Sequence, residues 1–157
     1  PQYNSKTTIN GGTVIGHTAI EVRSGNLNIN NGTFIGNGYA YNMIHENNNG
    51  PASNGAAVAV IQHITKQPIN VKIKNGLFKG QIAFIEANHS NDFIYGNNIT
   101  LSIDGGSYGV IGDNVEVIHS DNISQFIHGG DFTHAAVAKK CIDPEKFDVD
   151  NWSSLYN

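Results

Sequence analysis

Apolar and polar residues alternate in short segments along most of the chain. Ile69–Ile73 (INVKI) and Ile99–Ile103 (ITLSI) show the period of two that is typical of a β-strand with one buried face. Isoleucine is abundant, with 20 residues, and β-branched side chains favour strands over helices. The pattern therefore predicts an all-β protein.

One octapeptide occurs five times between these segments. It begins at an isoleucine and carries Gly-Gly or Asn-Gly at its third and fourth positions, with the second glycine at residues 12, 32, 76, 106 and 130. The intervals of 20, 44, 30 and 24 residues are typical of solenoid repeats. Glycine at the fourth position predicts a turn with a positive φ between two short strands. Each repeat would then form one rung of a coil of strands.

The motif I-x-G-G-x-F-x-G, followed by A-I-x-V, resembles the repeats of the pectate-lyase-like right-handed parallel β-helix superfamily. Within it, the repeats are similar to those of phage virion surface and tail proteins and of bacterial surface adhesins. The resemblance covers about residues 7–133. It implies a right-handed parallel β-helix of about five to six rungs over residues 1–133, with a short C-terminal helical or extended cap over 134–157. It implies architecture more than activity, because the same coil carries lyases, hydrolases and inert fibres.

Two insertions interrupt the repeat, at about residues 37–56 and 88–98. Insertions in solenoids collect on one face, which is often the binding face. Aromatic rings in or beside these insertions can stack on sugar rings. The candidate glycan or partner contacts are therefore Tyr39, Tyr41, Phe93 and Tyr95.

The segment 134–157 departs from the repeat and predicts either a cap or a docking tail. Residues 135–141 (AAVAKKC) predict a short helix after Thr133 as the N-cap residue. The end of an open coil exposes strand edges and apolar core, which a cap must cover. The apolar residues that either cover this end or dock on a partner are Phe147, Trp152, Leu155 and Tyr156.

We call the alternating strand that follows each octapeptide the second strand of the repeat. Its alternation predicts an apolar stripe on the outside of the coil. It places Val58 and Val60 inward, and it places four other apolar side chains outward: Ala59, Ile61, Phe84 and Ile118. A contiguous exposed apolar stripe predicts a subunit interface. The resemblance to virion β-helices implies a homotrimer. A register shifted by one residue would instead exchange the two faces.

Composition excludes several classes of protein. The chain of 157 residues has a net charge of −4, and only 14% of its residues are charged. Nine basic residues in an acidic chain, Arg23 being the one arginine, argue against nucleic-acid binding. No apolar run approaches the ~18 residues of a membrane span. The single cysteine, Cys141, excludes an internal disulfide.

Candidate chemistry is sparse, and we predict no catalytic residue, cofactor or metal. Glu86 and Glu116 lie on corresponding strands, either as solvated glutamates or as a carboxylate pair of the glycosidase type. His63, His89 and His119 each follow the second strand of a repeat, with Arg23 in the equivalent place of the first. They predict a ladder along one corner, either a plain surface ladder or a weak site for a transition metal.

The sequence is compatible with three functions. The favoured one is a non-catalytic structural or attachment protein of a phage particle (head decoration, fibre or tail) on the virion surface. We expect a complete chain without a secretion signal, which suits a protein released by lysis. The alternative is a glycan-binding fragment of a secreted adhesin, extracellular or on the bacterial surface, and the third is a polysaccharide lyase or hydrolase. The expected partners are other virion proteins, a cell-surface glycan and further copies of the chain.

Overall fold

The computed structural model describes residues 4–39, 42–45, 51–88, 97–113, 116–132 and 136–147. These residues form fifteen β-strands and one 3₁₀ turn, Lys139–Cys141. The all-β prediction is therefore confirmed. Within the same ranges, no helix has the length and apolar character that crossing a bilayer requires.

The first sheet consists of four parallel strands. Their order is β1 (Lys6–Ile9), β4 (Gly25–Ile29), β9 (Ile69–Ile73) and β12 (Ile99–Ile103). Single parallel bridges extend it through Ile127 to Ile142. The register aligns the first isoleucine of every octapeptide in one column, which Ile142 completes: Ile9, Ile29, Ile73, Ile103, Ile127 and Ile142.

The second sheet follows the turn of each octapeptide. Its parallel strands are β2 (Thr13–Gly16), β5 (Thr33–Gly36), β10 (Leu77–Gly80) and β13 (Ser107–Val110). Four buried aromatic rings stack on its inner face, with centroids 5.0, 4.9 and 5.0 Å apart, in the order Phe34, Phe78, Tyr108 and Phe132. Val14, in register with Phe34, ends this column.

The turn prediction is confirmed, since the second glycine of every octapeptide has a φ between +96° and +141°. At Gly32 a Cβ atom would lie 2.9 Å from the Phe34 ring and 3.2 Å from the carbonyl oxygen of Gly12. Glycine is therefore required here by both the backbone conformation and the close packing of neighbouring turns.

The third sheet contains five parallel strands. They are β3 (Ile20–Val22), β8 (Ala56–Val60), β11 (Ile82–Glu86), β14 (Glu116–Ser120) and β15 (Ala136–Val137). Its inner column passes through Ile20, Val58, Phe84, Ile118 and Val137. These side chains meet the inner columns of the other two sheets in one hydrophobic core.

The predicted apolar stripe on the outside of this sheet is wrong. Ala59, Ile61, Phe84 and Ile118 are all 0% exposed. Phe84 and Ile118 share the inward register of Val58, so counting alternation strand by strand assigned them to the wrong face. Ala59 and Ile61 belong to a second buried cluster with Ile82 and Ile85. None of the four side chains can contact another subunit without unfolding.

The insertion at residues 37–56 contains an antiparallel strand pair, β6 (Asn42–His45) and β7 (Pro51–Asn54). The pair is tied to β3 and to the corner before it. Ser53 donates its backbone N–H to Glu21 Oε2 at 3.1 Å, and the Thr18 hydroxyl donates to the Ser53 carbonyl at 2.6 Å. The chain then enters β8 directly.

The helix predicted over residues 135–141 is wrong. Ala136 and Val137 form β15 beside β14, and only Lys139–Cys141 forms a 3₁₀ turn. Ala138 precedes this turn without a side-chain cap, while Thr133 lies outside the described residues. Pairing with β14 overrides the helix propensity of an alanine-rich segment.

Beyond this turn the chain continues the first sheet. Cys141 and Ile142 are 0% and 1% exposed, and Phe147 packs half-buried against the core. The other predicted docking residues, Trp152, Leu155 and Tyr156, lie outside the described residues.

Candidate functional site

The outward face of the first sheet carries only polar side chains, and we call it the polar face. Alternation on β4, β9 and β12 turns leucine, valine and isoleucine inward and the intervening residues outward. β1 follows the same register, with Thr7 and Ile9 aligned to Leu27 and Ile29. Parallel pairing in register then aligns the outward residues in rows. One row is Lys6, Asn26, Asn70 and Thr100, and the next is Thr8, Asn28, Lys72 and Ser102.

A third row follows the isoleucine column at the ends of the strands. Its members are Asn10, Asn30, Lys74, Asp104, His128 and Asp143. From Asn30 onward, each backbone N–H donates to the carbonyl of the column isoleucine in the preceding strand, at 2.8 to 3.0 Å. The amide of Asn30 also donates to Asn10 Oδ1 at 2.7 Å. Six positions that are far apart in sequence therefore form one continuous edge of the polar face.

A shallow depression of about 280 Å³ lies at the β1 side of the polar face. We call it the lysine depression, because three of its six lining residues are lysines: Lys6, Lys72 and Lys74, with Thr8, Asn28 and Asn30. The three lysines are exposed, so their ammonium groups can reach a ligand in solution. The lining combines positive charge with amide and hydroxyl groups, which is suited to an anionic and hydroxylated ligand.

Carboxylates and an imidazole occupy the other side of the polar face. Asp104 Oδ1 accepts a hydrogen bond from the Ser102 hydroxyl at 2.8 Å and lies 3.1 Å from His128 Nδ1. Asp104 Oδ2 lies 3.4 Å from the Lys72 Nζ atom. Burial opposes ionisation of Asp104, but the hydrogen bonds from Ser102, His128 and Lys72 outweigh it and hold the pKa of Asp104 below its ordinary value. Asp104 is therefore an anion at neutral pH.

This group contains the residue types of a hydrolase triad but lacks its geometry. Its members are Ser102, His128, Asp104 and Asp143. In a triad, the nucleophile and the orienting carboxylate meet different ring nitrogens of the histidine. Here Ser102 Oγ, at 3.2 Å, and Asp104 Oδ1 both approach Nδ1 of His128. The other nitrogen, Nε2, faces Asp143 Oδ2 at 3.8 Å. The arrangement holds in place polar groups that can accept hydrogen bonds from a ligand or donate them to it.

The sequence-predicted glutamate pair is not formed. Glu86 aligns with Ser120 rather than with Glu116 and is 0% exposed, so its prediction as a solvated glutamate is wrong. Its carboxylate accepts hydrogen bonds from the Ser120 hydroxyl at 2.6 Å and from the Asn122 backbone and amide at 2.9 and 2.6 Å. Glu86 therefore joins the corners that follow β11 and β14, which is a structural role.

The predicted histidine ladder does not form between His63 and His119. His119 is in register with Ile85, which is itself in register with Ala59, whereas His63 follows Ala59 by four residues. The backbone N–H of His63 donates to the Arg23 carbonyl at 3.0 Å, so these two residues are neighbours as predicted. His89 lies outside the described residues.

The ring of His119 instead bridges two carboxylates. Its Nδ1 atom is 3.0 Å from Glu116 Oε1, and its Nε2 atom is 2.9 Å from Asp121 Oδ1. The hydrogen bond with Asp121, opposed in part by burial and reinforced by Glu116, raises the pKa of His119 to about 9. In the described part of the chain, no group of three or more histidine, cysteine, aspartate or glutamate side chains is arranged to hold a metal ion.

Of the predicted aromatic contacts, only Tyr39 is described. It is 91% exposed, so its ring is available for stacking. Tyr41, Phe93 and Tyr95 lie outside the described residues. The sequence reasoning missed the polar face, although the signal was present: lysine, asparagine, serine and threonine occupy every alternate position of the strands that precede the octapeptides.

Comparisons with protein-family models, curated proteins and solved structures found no significant match to this chain.

Proposed function

We propose that the three parallel sheets are the walls of a right-handed parallel β-helix, and that the chain is a non-catalytic structural and attachment protein which binds glycans through the polar face. The path of the chain supports the coil, because β1, β2 and β3 enter three different sheets and β4 returns to the first. The right hand follows from the strong preference for right-handed connections between parallel strands of one sheet.

The in-register polar rows are the observation that carries the binding function. A flat face of amide, hydroxyl, ammonium and carboxylate groups offers many donors and acceptors to sugar hydroxyls. Neighbouring strands lie about 4.8 Å apart, which is close to the length of one sugar unit in an extended chain. A linear glycan can therefore lie across the strands and meet outward polar side chains at each one.

The geometry around His128 supports a non-catalytic role. The Ser102 hydroxyl donates to the Asp104 carboxylate, and Ser102 shares one ring nitrogen of His128 with that carboxylate. Glu86 aligns with Ser120 and not with Glu116, so these two residues do not form the carboxylate pair of a glycosidase. Incubation of the protein with polysaccharides should therefore release no reducing ends, and we expect no unsaturated products. Release that depends on Ser102 or His128 would overturn this part of the proposal.

The resemblance of the octapeptide repeats supports a place on a virion surface, where glycan binding would attach the particle to a cell. The same face would serve a bacterial surface adhesin, which is the alternative setting. We also retain the homo-oligomer, with a trimer favoured, as a proposal, although the four buried residues of the third sheet cannot form its interface. Light scattering on the purified chain tests it, and a monomer at micromolar concentration would overturn it.

A glycan array tests the binding function. We expect the chain to bind a defined set of glycans and the double variant Asn28→Val, Ser102→Val to lose them, because both residues face outward in one row. Ser107→Val, on the outward side of the second sheet, is the matched control and should bind normally. Absence of any bound glycan, or equal loss in the control, would overturn the proposal.

A further inference from the structure

Charge is divided unevenly across the polar face. Three of the nine basic residues of this acidic chain, Lys6, Lys72 and Lys74, line the lysine depression. Beyond Lys74, the third row continues with Asp104 and Asp143 on either side of His128. A ligand that lies across the strands therefore meets positive charge at one end and negative charge at the other.

We propose that the lysine depression binds the acidic group of a glycan that carries one acidic sugar, with the neutral sugars beside it extending toward Ser102, Asp104 and His128. This inference rests on the proposed glycan-binding function and specifies the class of glycan.

The lining of the depression suits one acidic sugar. Ammonium groups attract a carboxylate or sulfate, while the Asn28 and Asn30 amides and the Thr8 hydroxyl can bond the ring hydroxyls. A volume of about 280 Å³ lies just below the usual range of ligand sites, so the depression has room for one sugar ring rather than several. Longer parts of the ligand must then lie on the flat face outside the depression.

The aspartates argue against a uniformly charged polymer. Asp104 is one strand beyond Lys74, and Asp143 is two strands beyond Asp104. Since strands are about 4.8 Å apart, a polymer with an acid on every sugar would place a second and a third anion close to these carboxylates. Like charges at such distances repel each other. The hydroxyl groups of neutral sugars would instead donate hydrogen bonds to the same carboxylates.

Four probes test the charge pattern on the full chain: lactose, sialyllactose, sulfolactose and a galacturonic acid oligomer. We expect sialyllactose or sulfolactose to bind at least about fivefold more tightly than lactose, because each carries one acidic group. The galacturonic acid oligomer should bind more weakly than the better of these two. Raising the salt concentration to about 0.5 M should remove most of the advantage over lactose.

Lysine variants test whether the lysine depression causes the preference for acidic glycans. Lys6→Gln and Lys74→Gln should each reduce the affinity for the acidic glycan about threefold to fivefold and leave lactose binding unchanged. Lys79→Gln is the matched control, since Lys79 is an exposed lysine on the neighbouring strand β10. It should affect neither ligand.

The outcomes separate the two proposals. Equal binding of lactose and both singly acidic probes, or equal effects of Lys79→Gln and Lys74→Gln, would overturn the acidic-sugar inference and leave the glycan-binding function intact. Tightest binding of the galacturonic acid oligomer would also overturn it. Absence of binding to all four probes, together with an empty glycan array, would overturn both.

Discussion

The three core columns end differently at the two ends of the sheets. At the end formed by β1, β2 and β3, which we call the first end, three column residues are only partly buried: Ile9, Val14 and Ile20. At the last end, Ile142, Phe132 and Val137 are 1%, 1% and 7% exposed. The residues are apolar at both ends, so the difference comes from their neighbours. Among the described residues, β1, β2 and β3 are the edge strands of the three sheets at the first end. Ala138 and Phe147, which are close in sequence to Val137 and Ile142, pack against the core.

This difference shows that burial in such a structure is a property of position in the column. An interior side chain has a column neighbour on both sides, and an end side chain has one unless another segment covers it. The contribution of one isoleucine to stability should therefore vary along a single column, although the residue and its register are the same throughout.

Ile73→Ala tests the middle of the isoleucine column and should have the largest effect. Ile73 is 0% exposed, and truncation leaves a cavity between Ile29 and Ile103. We expect a loss of about 3–4 kcal/mol in the free energy of unfolding, measured by urea denaturation. Ile9→Ala, at the partly buried end of the column, should cost about 1 kcal/mol. Equal losses for the two variants would contradict the comparison.

Ile142→Ala tests the covered end. If the segment up to Phe147 seals this end, Ile142 should behave like an interior residue and its truncation should cost about 2–3 kcal/mol. Phe147→Ala removes part of the cover, and it should reduce the additional cost of Ile142→Ala when the two are combined. A loss as small as that of Ile9→Ala would show that the two ends are equivalent.

Glu86→Val tests a second difference between the ends. One column of the third sheet contains Val22 and Val60 toward the first end, and then Glu86 and Ser120 toward the last. Valine at position 86 would continue the apolar pattern but remove the acceptor of the Ser120 hydroxyl and of the Asn122 backbone N–H. We expect a loss of about 2 kcal/mol in the free energy of unfolding. Glu145→Val, at an exposed position, is the control and should change stability by less than about 0.5 kcal/mol.

His119 makes the last end sensitive to pH. Its pKa of about 9 in the folded chain exceeds the ordinary value of 6.5, so its contribution is complete below pH 6.5 and is lost as pH rises through 9. Because the ring is partly exposed, we expect a decrease of only about 1 kcal/mol in the free energy of unfolding between pH 6 and pH 10. His119→Gln should flatten this dependence, whereas the control His63→Gln should not. An unchanged slope in His119→Gln would contradict the assignment.

The sequence alone could predict the strands and turns because their causes are local. Alternation identified strands such as Ile69–Ile73, and the second glycine of each octapeptide predicted the positive φ that the structure shows at Gly32. The site was harder to predict. Each of Lys6, Lys72 and Asp104 is an ordinary polar residue on its own strand, and only the register between strands makes them neighbours.

The errors have the same physical origin. Alternation within one strand could not reveal that Phe84 aligns with Val58 rather than with Ala59, nor that Glu86 would find two hydrogen-bonding partners in the core. The alanine-rich tail has the local propensity of a helix, but pairing with β14 makes it a strand. By itself, therefore, the sequence determined the all-β character and the position of each turn, since these depend on period and backbone conformation. Tertiary structure decided which faces are buried, which charges meet and which end is covered, since these depend on contacts between residues that are distant in the chain.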